Sequence, residues 1–337
     1  MKIFSISLAI IVLLVLQSPI AEAQDSHLSQ YYASPMTINP AATGYFDGDY
    51  RFSGNYRQQW MSIGYPYITG SVGFDTKLMQ LQLHEDVLAL GILAQYDKSL
   101  NGGLKNINFA ASLAYSKSFD NEAHNKLGIG FQFAYASRAV NTQYLDFATQ
   151  FNGNGFDTNL PSFETPGNFH RNYFDINTGL LFVHSGNKAE TYLGASLYHI
   201  IQPDISFVPG DKYRLPQRYS VNAGSRFILN ASNDELHVNG LFMYQAGATE
   251  ENFGFVYGKH ASEILVVYGG LWYRFNDAII PYVGFSVNNF QIGASYDINN
   301  SGLRDYKSKN GSFEISVSAQ GNRPTNPYTN YKNGRIF

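Results

Sequence analysis

Between residues 127 and 136 the chain reads Leu-Gly-Ile-Gly-Phe-Gln-Phe-Ala-Tyr-Ala, so one face of an extended strand would be large and apolar and the other small or polar. Period-two alternation of this kind marks a strand lying between two unlike surroundings. It recurs along the chain. Over 49–57, Tyr50, Phe52, Gly54 and Tyr56 alternate with Asp49, Arg51, Ser53, Asn55 and Arg57. Over 105–119, Ile107, Phe109, Ala111, Leu113 and Tyr115 alternate with Asn106, Asn108, Ala110, Ser112, Ala114 and Ser116. Fourteen such segments fall near 48–58, 67–77, 86–97, 104–119, 125–138, 171–184, 189–201, 216–229, 235–246, 251–259, 263–275, 278–287, 289–297 and 311–320. Most run 9 to 15 residues. Ordinary globular strands average about five or six, whereas tilted membrane strands need roughly nine to eleven.

Composition narrows the choice of architecture. Charged residues are only 15% of the chain, against 25 Tyr, 25 Phe and 31 Gly, where soluble domains are about a quarter charged. A β-sandwich would turn every 8–12 residues or so and carry a charged outer face. Here the second face is mostly Asn, Ser, Gly, Gln and Thr, which suits a lumen. A propeller would need a repeating blade, and no fixed period is found. The expectation is an all-β fold, a transmembrane up-and-down antiparallel barrel of about fourteen strands of the outer-membrane type. An even strand number brings both chain ends to one side. If the N-terminus starts in the periplasm, the long connections 139–170, 202–215 and 298–310 all fall outside and the opposite turns are short, the exceptions being 78–85, long for an inner turn, and 276–277, short for an outer loop. Tyr96, Phe119, Tyr135, Tyr198, Tyr257 and Tyr296, near strand ends, are candidates for interfacial girdles.

The first residues agree with that compartment. Lys2, an apolar run from Ile6 to Leu16, and Ala21-Glu22-Ala23 before Gln24 form a secretory signal peptide, cleaved after Ala23. The expected organisation is signal peptide 1–23, an N-terminal periplasmic or plug-like segment 24–47, an outer-membrane barrel 48–320 and a periplasmic tail 321–337. The chain has no Cys, so disulfides, thiol catalysis and thiolate metal sites are excluded. A net charge of −3 gives no footprint for nucleic acid.

Chemistry-bearing motifs are sparse. His84-Glu85-Asp86 is a compact ionisable trio, but it sits in a predicted turn, where charges are usually just solvated. Asp175, beside Asn177, falls on the polar face of strand six, where an interior hydrogen bond is its expected role. The eight His residues show no metal-ligand spacing, and there is neither a phosphate loop nor a nucleophile elbow. No cofactor and no enzymatic activity are expected.

The segment before strand one is different in character. Pro35 and Pro40 restrict the backbone, Gly44 allows a turn, and Tyr31, Tyr32 and Met36 are apolar anchors. It would tuck into the barrel or lie across its periplasmic mouth. Here, too, the chain resembles a known family. Gln24-Asp25, then Ser-Gln-Tyr-Tyr-Ala-Ser-Pro over 29–35 and Ile-Asn-Pro-Ala-Ala-Thr-Gly over 38–44, are followed by Asn55-Tyr56-Arg57-x-Gln59-Trp60 and by Tyr67 to Asp75. These elements resemble the PorP/SprF family of type IX secretion system membrane proteins. The tail, ending Gly334-Arg335-Ile336-Phe337, lacks the Cys-bearing ending of many members.

The resemblance implies an outer-membrane barrel working with the type IX apparatus. Its partners would be periplasmic ring components, or the C-terminal domain of a large secreted adhesin held at the surface, as in gliding motility, with outer-membrane lipid around the wall. The carried-over residues are Gln30, Tyr31, Tyr32, Pro35, Asn39, Pro40, Gly44, Asn55, Arg57, Gln59 and Trp60. Their bland role would be to fix the segment against the wall. A candidate partner-binding loop is 139–170, with Phe147, Phe151, Phe156, Phe163 and Phe169, because exposed aromatics supply large contact area. The alternative function is a FadL-like outer-membrane channel for small hydrophobic or polar solutes.

Overall fold

The computed structural model describes residues 25–60, 65–78, 85–120, 122–157, 159–163, 167–208, 210–229, 232–300 and 311–323. The signal-like segment 1–23, His84 and the tail from 324 onward lie outside the described residues.

The first half of the wall is β1 (Tyr50–Gln59), β2 (Tyr67–Leu78), β3 (Val87–Ser99), β4 (Leu104–Ser118), β5 (Asn125–Asn141), β6 (Asn168–Ser185) and β7 (Ala189–Tyr198). The second half is β8 (Arg218–Ile228), β9 (Glu235–Gln245), β10 (Ala248–His260), β11 (Leu265–Arg274), β12 (Ala278–Val287), β13 (Phe290–Asn299) and β14 (Ser312–Gly321). Each strand pairs antiparallel with its sequence neighbours, and β1 pairs with β14 from Tyr50↔Gly321 to Gln59↔Ser312, closing a fourteen-strand barrel. Closure leaves no full-length edge for another chain to extend. Pro281 cannot donate to a ladder, and the β12–β13 pairing lapses at residues 280–281.

The alternation in the sequence becomes an inverted distribution of polarity. On β5, Leu127, Ile129, Phe131, Phe133 and Tyr135 face outward and exposed, while Gly130, Gln132, Ala134 and Ala136 face inward and buried. On β1, Phe52 and Tyr56 are exposed and Arg51, Ser53, Asn55 and Arg57 are buried. Polar residues inside and apolar residues outside are what a wall bathed in lipid requires. On β4, β5 and β6 the outward apolar band covers 107–115, 127–135 and 174–182. At its two limits the outward residues become polar, Lys105 and Asn172 at one end, Lys117 and His184 at the other.

Tyr96, Phe119, Tyr135, Tyr257 and Tyr296 are exposed, but Tyr198 is not a girdle residue. It shares the inward parity of Tyr192 and Ser196 on β7, and its hydroxyl donates to the Met36 carbonyl at 3.0 Å. β7 also ends at Tyr198, three residues earlier than the expected 201, because the backbone of His199 turns to a φ of 59°.

One end of the barrel carries the long connections 142–167 and 199–217, and the other carries short ones such as 186–188, 261–264 and 288–289. The tie Asp86 makes at the short-turn end is structural: it accepts from Lys117 Nζ at 2.9 Å and from the Ser118 amide at 2.8 Å.

Candidate functional site: a lumen filled by the N-terminal segment

Residues 25–46 run inside the barrel from the long-loop mouth to the short-turn mouth before the chain reverses into β1. The direction follows from the wall residues met in order. Asp25 meets His199, Arg218 and Gln245 at the long-loop ends of β7, β8 and β9. Phe46 meets Lys77 near the opposite end of β2. Three 3-10 turns, Tyr31–Ala33, Pro35–Thr37 and Pro40–Ala42, keep the segment compact. Pro35 and Pro40 each open a turn where no amide is needed, and the Asn39 side chain caps the third by accepting from the Ala41 amide at 2.9 Å. The segment does not simply lie across the short-turn mouth, because the inward wall offers it partners over its whole height.

Near the long-loop mouth, His199 sits between two carboxylates, Asp175 at 2.7 Å and Asp25 at 2.8 Å. Burial opposes the charge on His199, but the two carboxylates outweigh it and push its pKa up to about 9. Burial likewise opposes ionisation of Asp25, while His199, Arg218 and Gln245 together hold its carboxyl well below the usual carboxylate range. Asn177 accepts from the His199 amide at 2.9 Å and donates to Gln132 at 3.0 Å, so strand six contributes a polar row here.

One step deeper lies the main charge cluster. Glu314 on β14 accepts from the amides of Ser29 at 2.7 Å and Gln30 at 3.0 Å, and Asn55 reaches it at 3.1 Å. Arg57 spans Ser29 Oγ at 2.7 Å and Asp297 at 2.8 Å, with Glu314 at 3.9 Å, and Arg274 also pairs with Asp297. The Gln30 side chain donates to Ser295 at 3.0 Å and accepts from Ser316 at 2.6 Å. These charges are almost wholly buried, so each needs its partner.

An aromatic layer follows. Tyr32 stacks on Trp272 at 4.9 Å, Tyr31 meets the same ring edge-on at 5.6 Å, and Ile280 and Tyr282 complete the apolar patch. On the opposite wall Met36 packs against Leu93, Ala110 and Ala134. Below it, the Pro40–Ala41 backbone rests directly on the wall. A Cβ on Gly130 would lie 2.3 Å from the Ala41 nitrogen, and one on Gly179 would lie 2.0 Å from Asn39 Oδ1. Glycine is the residue that permits such an approach. Asn39 also donates to the Leu180 carbonyl at 2.9 Å. At the lower end, Asp75 accepts from the Gly44 amide at 2.8 Å and from Arg51 Nε at 3.0 Å and Nη2 at 2.8 Å. Lys77 donates to the Phe46 carbonyl at 2.6 Å. Gly44 has a φ of 79°, which favours glycine there.

The sequence-derived residues thus divide. Gln30, Tyr31, Tyr32, Pro35, Asn39, Pro40, Gly44, Asn55 and Arg57 are buried together in the lumen. Gln59 and Trp60 stand apart at the long-loop rim, where Trp60 packs on Tyr67 at 4.7 Å. In the loop, Phe151, Phe156 and Phe163 are exposed and Phe147 is half-buried, and Phe151 and Phe156 face each other at 5.4 Å. Phe169 lies on β6 rather than in the loop. Sequence reasoning missed the wall partners Asp75, Arg274, Asp297 and Glu314. The available signal was their inward parity on apolar strands, in a chain that uses few charges.

Among solved structures, the fold is similar to the toluene transporter TodX of Pseudomonas putida, with a TM-score of 0.52 at 10% identity over 88% of this chain and 97% of that one. The toluene transporter TbuX of Ralstonia pickettii gives 0.51 at 12% identity over 85% and 92%. At such identities the likeness is one of fold, that of an outer-membrane β-barrel. No curated protein matches by sequence. The description "Type IX secretion system membrane protein PorP/SprF" matches residues 20–319, nearly the whole length, and the chain belongs to that family.

Proposed function

We propose that the protein is a non-enzymatic barrel that assists secretion of a large adhesin, or holds it at the cell surface, by receiving its C-terminal domain at the long-loop end. The observation that carries this reading is the lumen. Its own N-terminal segment is hydrogen-bonded to the wall from one mouth to the other, which leaves the mouths as working surfaces. In this reading the long-loop end faces outward and offers the aromatic loop, and the short-turn end faces periplasmic ring components. Export depends on a signal peptide cleaved after Ala23. Deleting 145–163 tests the proposal: the barrel should remain in the outer membrane while surface retention of the secreted partner is lost. Unchanged retention would overturn it.

A second reading, a FadL-like channel for small hydrophobic or polar solutes, draws support from fold similarity to toluene transporters. Conductance and solute uptake by the purified protein separate the two, since the anchoring barrel is expected to stay closed.

A further inference from the structure

The barrel wall has a step. β6 is fully paired on one side, with β5, from Asn125↔His184 up to Asn141↔Asn168. On its other side, β7 covers it only from Thr178↔Leu197 to Ser185↔Glu190. One further bond, from the Ile200 amide to the Ile176 carbonyl at 3.1 Å, continues that pairing before the chain leaves. Above it, among the described residues, Asn168–Asp175 have no backbone partner on the β7 side.

The direction of the free groups is fixed by period two. The Ile176 carbonyl faces β7, so the amides and carbonyls of Phe174, Asn172 and His170 face the same open side, while those of the residues between them pair with β5. The side chains of Asn168, His170 and Asn172 are exposed and polar, and lie beyond the apolar band that ends at Phe174. The unpaired groups of 168–172 therefore lie in water, where they are tolerated, and Phe174 marks the boundary with hydrocarbon, where they are not. The described residues of the connection 199–217 make no backbone–backbone bond to this edge; Asp204 is held instead by the side chain of the inward-pointing Arg171, whose Nε donates to the Asp204 carbonyl at 3.0 Å.

A strand held rigid by one neighbour and left open on the other side is a template for strand addition. It is also contiguous with the connection bearing Phe151, Phe156 and Phe163. At its foot, Phe174, Tyr135 and Ile201 border an apolar hollow on the outer face.

We propose that the open edge of β6, through the backbone of His170, Asn172 and Phe174, receives an extended strand of the secreted partner. The inference rests on the long-loop end being the partner-binding end, and it names the contact made there. An incoming strand would supply alternating carbonyls and amides and turn apolar side chains toward the hollow at the foot.

The test uses the protein purified with its secreted partner from detergent-solubilised outer membranes, the partner being identified by mass spectrometry. Amide exchange at His170, Asn172 and Phe174 should slow at least tenfold in the complex relative to the separated barrel. The double variant His170→Pro/Asn172→Pro removes two edge amides that make no bond to β5, and should cut partner recovery at least tenfold. Barrel yield and heat-modifiable mobility should be unchanged. The variant His170→Ala/Asn172→Ala keeps both amides and should recover the partner normally. Partner retained by the proline variant, with no added protection, overturns the edge while leaving the anchoring function standing. Loss in the alanine variant as well overturns backbone pairing in favour of side-chain contact. Protection in the separated barrel with a doubled mass assigns the edge to a second copy of this chain. Failure of the wild type to recover any secreted protein overturns the function itself.

Discussion

The interior of the barrel and its long-loop rim treat unmet chemistry in opposite ways. Inside, charged wall residues are answered by the chain's own N-terminal segment or by each other: Glu314 by Ser29 and Gln30, Asp75 by Gly44 and Arg51, His199 and Arg218 by Asp25. At the rim, Asn168–Asp175 leave half their backbone groups open, and Phe163 stands 83% exposed. These interior charges find their partners within the chain. The rim leaves its groups open, and substitutions in the two regions should therefore fail in different assays.

The largest effect should come from breaking the charge cluster. Arg57→Leu leaves Glu314 and Asp297 with one cation fewer, in a site that is almost wholly buried. Removing one partner of a buried pair typically costs on the order of 3–5 kcal/mol. Unfolding of the detergent-purified barrel should shift by that amount, and an unchanged midpoint would show that the cluster is not what ties the segment to β13 and β14.

A packing change should sharpen the comparison next. Gly130→Ala places a methyl group against the Pro40–Ala41 backbone, which cannot move aside as a side chain would. Overpacking of this kind typically costs about 1–3 kcal/mol, and here it can be relieved by expelling the segment. The natural chain has no Cys, so Ser34→Cys, at a buried position, reports expulsion directly. Maleimide should label it slowly in the otherwise wild-type barrel and quickly with Gly130→Ala. Equal labelling would mean that the segment stays seated.

How much of this was legible beforehand differs by region. The wall was readable because lipid outside and a polar interior impose parity on every strand, so Leu127 to Ala136 declare both faces at once. The ends of β6 and β7 were not, because they depend on where β7 departs, and a His at φ 59° carries no helpful sequence signal. Within the lumen, Tyr31, Pro35, Asn39 and Pro40 stood out as a segment unlike a strand. Their partners did not: Asp297 and Glu314 lie more than 250 residues away from Ser29 in sequence and meet it only through barrel closure. Gly130 and Gly179 read simply as small inward residues, since close approach by another backbone is a tertiary fact.

The latch at the long-loop mouth should respond to pH. The His199 pKa is raised, so its contribution is fully present below about 6.5, the unfolded value, and is lost as pH rises through about 9. Asp25 is lowered, so its contribution persists at neutral pH and is lost only in acid. Together they predict that the barrel weakens between pH 7 and 10 by up to about 3 kcal/mol. Asp175→Asn should flatten that dependence by removing one of the two carboxylates. A stability profile flat across this range in the wild type would show that His199 does not hold the segment.

The smallest structural effect belongs to the rim. Phe163 has a φ of 58° and is highly exposed, so Phe163→Asn removes apolar area while supplying a residue that tolerates a left-handed backbone. Stability should stay within about 0.5 kcal/mol of wild type. Retention of the secreted partner should nevertheless fall, because the aromatic contact is lost. The contrast with Arg57→Leu decides between two views of the molecule. If Phe163→Asn leaves retention intact while Arg57→Leu abolishes it in barrels still present in the membrane, the partner is recognised through the filled lumen. The aromatic loop is then only a cover.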